Sequence, residues 1–300
     1  MNEILVVGSV GYDTITTPDG TRTGILGGSA NYFSLAASLY TPVQVVGVVG
    51  DDYKPEHRQL LESRKVDIRG LQTVHGKTFA WEGKYEKDMN DAITLSTHLN
   101  VFEDFKPSIP EAYKKSPVVF LANIDPVLQL QVLEQVESPK LVAMDTMDYW
   151  IRSKRADLLK VLQKIDVLLI NEGELRQLTS TWNIVRACKE AMALGPKAVI
   201  VKRGEYGFFS YYQERYFVLP AFPVESVVDP TGAGDTFAGG FLGHLAQLGR
   251  GWNREDLKQA CVHGCLLASF TVQDFGVEGI AAVTAGQLAD RIQAYQKVIS

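Results

Sequence analysis

The chain has 300 residues, 46% of them hydrophobic and 22% charged, which is ordinary globular material and gives no grounds for a disordered segment or a repeat array. A formal net charge of −5 with scattered basic residues argues against nucleic acid as a partner, and no apolar run approaches the ~18 residues of a membrane span. Three cysteines, an odd number, argue against a disulfide framework and for a reducing, cytoplasmic setting.

Residues 4–8 form a short apolar run ended by Gly-Ser-Val-Gly, which predicts a buried strand leading into a loop. Asp13 lies just past it, where in open α/β sheets a ligand binds outside the carboxyl ends of the strands, so its carboxylate could accept hydrogen bonds from a polyol. Residues 14–17 and 22–26 flank Pro18-Asp19-Gly20, a turn signal that makes the pair a hairpin. Gly27-Gly28-Ser29-Ala30-Asn31 then opens a small-residue helix through Leu39, with Asn31 in its first turn. A second buried strand, 43–49, ends in Gly50-Asp51-Asp52. Residues 78–99 alternate apolar and polar around Asp88-Met89-Asn90-Asp91, a second hairpin. The two hairpins together predict a small sheet outside the main fold, a candidate lid over 14–26 and 78–99.

After Pro117 short apolar strands alternate with helical patterns. Strands are expected at 118–122, 141–144, 167–170 and 198–201, and helices at 127–136, 154–165, 183–193 and 235–248. This rhythm predicts a mostly parallel sheet covered on both faces. Residues 206–212 and 214–219 read as an antiparallel edge hairpin, and helices over 254–270 and 285–297 complete the chain. Polar residues gather at the strand ends, among them Asn123, Asp125, Asp145, Asn171, Glu172, Glu174, Lys202 and Arg203.

Those strand ends converge on the segment Val228-Asp229-Pro230-Thr231-Gly232-Ala233-Gly234-Asp235. After Asp235, Phe237, Phe241, Leu245 and Leu248 recur at helical spacing, while Gly239, Gly240 and Gly243 leave one side of the helix bare enough for another backbone. Gly232, Ala233 and Gly234 therefore form a loop at a helix N-terminus, where unpaired amides and the helix dipole favour a phosphate. Asp235 sits beside that phosphate, where a carboxylate can take the proton of a hydroxyl attacking phosphorus. Other motifs fail: the G-x-G-x-x-G spacing is absent at Gly8 and Gly47, no H-R-D element separates Lys202 from Asp274-Phe275-Gly276, and no G-x-x-x-x-G-K-[ST] occurs.

On these residues the chain resembles the PfkB (ribokinase-like) family over nearly its whole length. Asp229-Pro230-Thr231-Gly232-Ala233-Gly234-Asp235 is similar to the second family signature, Gly27-Gly28 with Asn31 to the first, and Asn171-Glu172-Gly173-Glu174 to its Asn-x-x-Glu element. The resemblance implies a single Rossmann-like αβα domain over 1–300 with a β lid, transferring the γ-phosphate of ATP to a hydroxymethyl group of a sugar or sugar-like alcohol. By it Asp235 is the base, the amides of Gly232, Ala233 and Gly234 are the anion hole, and Asp13, Gly28 and Asn31 hold the acceptor. Asn171 and Glu174 would organise Mg2+ and the ATP phosphates largely through water. Lys202 and Gly204 stand where the family often has a Thr-x-Gly contact to ATP, the lysine being a departure, and Asp229 and Thr231 stand where some members bind a monovalent cation such as K+. A nucleoside kinase is the near alternative, and a ligand-binding protein without chemistry the distant one. Lid residues Ile15, Ile25, Phe79, Trp81, Ile93 and Leu95 have no core of their own, so a homodimer through the lid or ordering by ligand is expected.

Overall fold

The computed structural model describes residues 2–300. Strand β1 (Ile4–Val7) leads to β2 (Gly11–Thr17), β3 (Gly20–Gly27), α1 (Ser29–Ala37), β4 (Val43–Val49), α2 (Pro55–Ser63) and β5 (Val66–Thr73). After β6 (Phe79–Tyr85) and β7 (Ala92–His98) come β8 (Val118–Leu121), α3 (Pro126–Gln135), β9 (Leu141–Met144), α4 (Asp148–Ser153), α5 (Arg155–Leu162) and β10 (Val167–Asn171). Then follow α6 (Glu172–Thr179), α7 (Ile184–Met192), β11 (Ala198–Lys202), β12 (Phe208–Tyr212), β13 (Arg215–Leu219), α8 (Ala233–Gln247), α9 (Arg254–Thr271), α10 (Glu278–Ala281) and α11 (Ala285–Ile299).

Nine strands form the main sheet in the order β13-β12-β11-β10-β9-β8-β1-β4-β5, parallel from β11 to β5 and antiparallel in the β12–β13 edge hairpin. Side chains alternate across a strand, so β1 feeds two cores: Ile4 and Val6 pack with α1, α8 and α9, and Leu5 and Val7 with α3, α5 and α7. All four are fully buried, each removing about 1.5–3 kcal/mol of apolar side chain from water. A strand buried on both faces must read as a continuous apolar run, which is why the period-two signal is missing there.

The bare side of α8 has the use its glycines predict. A Cβ at Gly243 would come within 2.7 Å of Tyr40 in the segment after α1, and one at Gly240 within 2.9 Å of Gly264 on α9. Close packing on both sides fixes the axis of α8, and its N-terminus points at the carboxyl edge of the sheet.

The second sheet has the order β3-β2-β6-β7, with its two hairpins joined by a parallel β2–β6 pairing. The lid strands thus begin earlier than expected, at Gly11, and Asp13 belongs to β2 rather than to the loop before it. The expectation that the lid has no core holds for one face only. Ile15 is fully buried and packs with Tyr85 and with Phe275 from the loop after α9, with Ile25 and Trp81 alongside. Ile93 and Leu95 on the β7 edge remain 48% and 55% exposed.

Candidate active site

Strand ends and the N-termini of three helices, α1, α6 and α8, supply the site. Gly232 caps α8 in the left-handed region at φ 72°, and a Cβ there would overlap the ring of Tyr32, so the loop requires glycine twice over. The Ala233 amide closes a turn onto the Pro230 carbonyl at 3.2 Å and the Thr236 amide bonds to Gly232, whereas those of Gly234 and Asp235 find no protein acceptor among the described residues. Free amides at the positive end of a 15-residue helix fit a phosphate, as does the absent Cβ at Gly234, which would lie 2.9 Å from the Lys202 ammonium.

Lys202 ends β11 and donates to Asp145 Oδ2 at 2.6 Å, across from the end of β9. Burial lowers its pKa, but the carboxylates of Asp145, Glu174 and Asp235 outweigh burial and hold the ammonium above its ordinary range. Burial, and then the Asp145 charge, push Asp235 up to about 7 against the pull of Lys202. A carboxylate poised there can accept a proton at neutral pH and is a better base than one at its usual value.

Glu174 and Asn171 form a capping box at the start of α6: the Glu174 amide donates to Asn171 Oδ1 at 2.8 Å, and the Asn171 amide to Glu174 Oε2 at 2.9 Å. Burial, with Asp145 close by, raises the Glu174 pKa. A cleft of about 330 Å³ opens here between Asn171, Glu174 and Gln177 on one side and Asp91 and Ala92 of the lid on the other. Among the described residues no three His, Cys, Asp or Glu side chains form a protein-only metal cage. The half-buried Glu174 carboxylate beside open volume fits magnesium, which keeps waters and phosphate oxygens among its ligands.

On the other side of Asp235, Gly28 caps α1 at φ 92°, where a Cβ would meet the Ser9 carbonyl at 2.6 Å. Asn31 Nδ2 donates to the Gly27 carbonyl at 2.6 Å, leaving its buried Oδ1 without a partner. Asp13 lies against Gly27 and is 4% exposed; burial and the Asp229 and Asp235 charges push it up to about 8, while a hydrogen bond from the Gly28 amide pulls the other way. Asp229 binds the loop together, its Oδ1 accepting from the Thr231 amide at 2.9 Å and its Oδ2 from Gly276 at 2.8 Å. Thr231 donates to the hydroxyl of Tyr85 at 3.1 Å, a direct link from the anion loop to the lid.

The profile of the pfkB family carbohydrate kinases matches residues 1–282. The chain belongs to that family. It is 32% identical to the cytidine kinase of Thermococcus kodakarensis over 81% of this chain and 88% of that protein, and 27% identical to the ribokinase of Bacillus subtilis over 93% and 96%. An Escherichia coli chain solved with ATP and Mg2+ superimposes with a TM-score of 0.80 at 20% identity, covering 98% of this chain and 100% of that one, which shows the common fold. As a pfkB-family member it is an ATP-dependent small-molecule kinase, a phosphotransferase to an alcohol group, and no helix among the described residues is long and apolar enough to cross a membrane.

Of the residues expected at the site, Lys202 lies beside Gly234, Asp13 and Asn31 meet at Gly27, and Asn171 and Glu174 line the cleft under the lid. Gly204, at φ 53°, stands where a Cβ would lie 3.2 Å from Asn90 Oδ1 of the lid turn. Sequence reasoning named Asp145 only as one strand-end polar group among several. Its importance comes from adjacency of β9, β10 and β11, which brings it to Lys202, 57 positions along the chain. Tyr32 carried no signal beyond its place next to Asn31.

Proposed function

We propose that the acceptor is a sugar or sugar-like alcohol bound by Asp13, Gly28 and Asn31, and that Asp235 takes the proton of its hydroxymethyl group as that oxygen attacks the γ-phosphorus of ATP. The observation that carries this reading is the position of a half-buried carboxylate in the first turn of α8, its pKa pushed up to about 7, between free helix amides and a lysine on one side and unpaired polar atoms on the other. Developing negative charge on the transferred group would meet the amides of Gly232 and Gly234 and the Lys202 ammonium, groups already fixed in place. The Ala233 amide, turned onto Pro230, would contribute through the loop's shape. Asn171 and Glu174 would hold magnesium, largely through water, where it offsets charge on the nucleotide's phosphates. A monovalent cation, K+ by family resemblance, would sit against the Asp229–Thr231 loop, and comparing rates in K+ and tetramethylammonium buffers tests it.

A nucleoside acceptor is the second reading. It is favoured by the cytidine kinase relative and by a cluster of rings beside Asn31, in which Tyr12, Tyr53 and His57 have centroids 5.6–6.1 Å apart. ADP release with ATP and magnesium, over D-ribose, D-fructose and other sugars against cytidine, adenosine and inosine, decides between them. Turnover of a sugar with kcat/KM above that of every nucleoside supports the first reading, the reverse order supports the second, and silence with all acceptors overturns both.

A further inference from the structure

Lys202 ends β11 with one ammonium and several carboxylates around it. Its register partner on β10 is Asn171, whose amide donates to Glu174 Oε2 at 2.9 Å, so the Glu174 carboxylate stands at the adjacent strand end. The charges of Glu174 and Asp235 both act on the ammonium. Yet among the described residues Lys202 forms its one ion pair across β10, with Asp145 at the end of β9.

Asp145 is fixed on every side but one. Its amide donates to the Leu121 carbonyl at 3.0 Å, its carbonyl accepts from Gln129 Nε2 at 3.2 Å, and its Oδ1 accepts from the Thr146 amide at 2.9 Å. The residue is 5% exposed, and the carboxylate oxygen left over, Oδ2, accepts from Lys202 at 2.6 Å. A lysine stem of four flexible carbons has no end point of its own, so the partner decides where the ammonium stops. It stops beside the anion loop: Nζ lies 2.9 Å from where a Cβ on Gly234 would stand, and the Gly234 amide has no protein acceptor among the described residues. One bond to Asp145 leaves two of the three ammonium donors for a phosphate. Stability does not call for the pair, because apolar side chains of similar size would close the strand ends at least as well as two buried charges. Placement of the cation supplies the reason. We propose that Asp145 is a positioning residue: it fixes the Lys202 ammonium beside Gly234, where the loop receives the donor's phosphates, and withholds it from Glu174. This rests on the phosphate site proposed above and deepens it, because the loop's cation is then aimed by β9 rather than by the loop.

The test is a double-mutant cycle over Asp145→Asn and Lys202→Met. It is read as affinity for the magnesium complex of the β,γ-imido analogue of ATP, by calorimetry, and as KM for ATP and for the best acceptor of the panel above. Asp145→Asn should weaken the analogue about tenfold, the lower worth of one charge-assisted hydrogen bond, and leave the acceptor KM within twofold. In the Lys202→Met background the same substitution should change the analogue's affinity less than twofold, because the residue it acts through is gone. There it should also raise the thermal midpoint, because a buried unpaired carboxylate has been removed. Analogue affinity within threefold of the wild type in Asp145→Asn overturns the proposal, since the lysine then finds the loop unaided. So does an equal loss in both backgrounds, and so do equal penalties on ATP and acceptor, which is what a purely structural pair at the sheet edge gives. Should Asp145→Asn fail to fold, Asp145→Glu, which keeps the charge and moves it by one carbon, takes its place under the same expectation and the same threefold limit. A wild type that does not bind the analogue is a different failure: it removes the phosphate site itself and this proposal with it.

Discussion

The donor and acceptor sides of Asp235 handle buried charge in opposite ways. On the donor side Lys202 is already paired with Asp145, and Glu174 and Asn171 satisfy each other in a capping box. On the acceptor side Asp13 is buried beside two other carboxylates, and Asn31 Oδ1 and the hydroxyls of Tyr32 and Tyr53 have no partner. One side is internally paired and the other keeps unpaired polar groups. Preorganised charge suits phosphoryl transfer, where the protein positions groups and neutralises charge rather than forming covalent bonds. Unpaired polar groups suit selection, because they penalise any guest that fails to pair them. The acceptor side is also expensive for the ligand-free protein. Asp13 and Asp235 hold their protons more tightly folded than unfolded, so their contribution to stability is present below the ordinary carboxylate range and is lost as pH rises through about 7 to 8.

The largest way to break this contrast is at its centre. Asp235→Asn keeps the shape and removes proton acceptance, so kcat should fall by ~10²–10⁴ with both substrates still bound. In the unaltered enzyme kcat/KM should rise as pH passes about 7 and Asp235 ionises, and then level off. Steady-state rates between pH 5.5 and 9 check both statements. A variant within a few-fold of the parent, or a rate already flat at pH 6, would move the base elsewhere.

Lys202→Met breaks the donor side alone. It leaves Asp145 and Glu174 buried without their cation, so about 3–5 kcal/mol of stability should go with it. Losing one fixed charge from the phosphate site should also lower kcat/KM for ATP by ~10²-fold, with the acceptor KM little changed. Lys202→Arg, keeping the charge, should recover most of the stability. Equal losses for both substrates would mean that the lysine holds the sheet edge together and does not act on phosphate.

How far the sequence revealed these two sides differs in the same way. Asp13, Asn31 and Asp235 stand in or next to glycine-marked loops whose local chemistry can be read directly. Lys202 and Asp145 meet through the order of three parallel strands, and no local pattern encodes that order. Elsewhere, α2 and β5 went unassigned: α2 fully buries only Leu61, and β5 is an edge strand whose pairing with β4 is irregular after Gln44. Pro55, at the first turn of α2, was the available signal for that helix. The helix expected over 154–165 starts later and is preceded by a separate α4, because Lys154 leaves the helical region at φ −129°, ψ 30°. A turn signal revealed the first lid hairpin and period-two alternation the second, but neither revealed the parallel β2–β6 pairing that joins them, which links residues more than sixty positions apart.

The smallest expected effect lies farthest from the chemistry, on the outer edge of the lid. Its inner face is anchored to the body of the enzyme through Ile15, Tyr85 and Phe275 and through the Tyr85–Thr231 hydrogen bond, contacts that do not involve the outer edge. Strand β7 pairs with β6 on one side only and exposes Ile93 and Leu95, an unpaired apolar edge of the kind that proteins usually cover or blunt with charge. A second copy pairing through the same edge about a two-fold axis would cover both features at once. Sedimentation at micromolar concentration should therefore find a dimer, and the double substitution Ile93→Lys with Leu95→Lys should convert it to a monomer. Because the inner anchor is untouched, kcat should stay within about threefold, a surface-sized effect. A wild type that sediments as a monomer removes the dimer. A charged variant that dissociates and also loses most of its activity would show that the lid needs its neighbour to close, and would join the edge to the site.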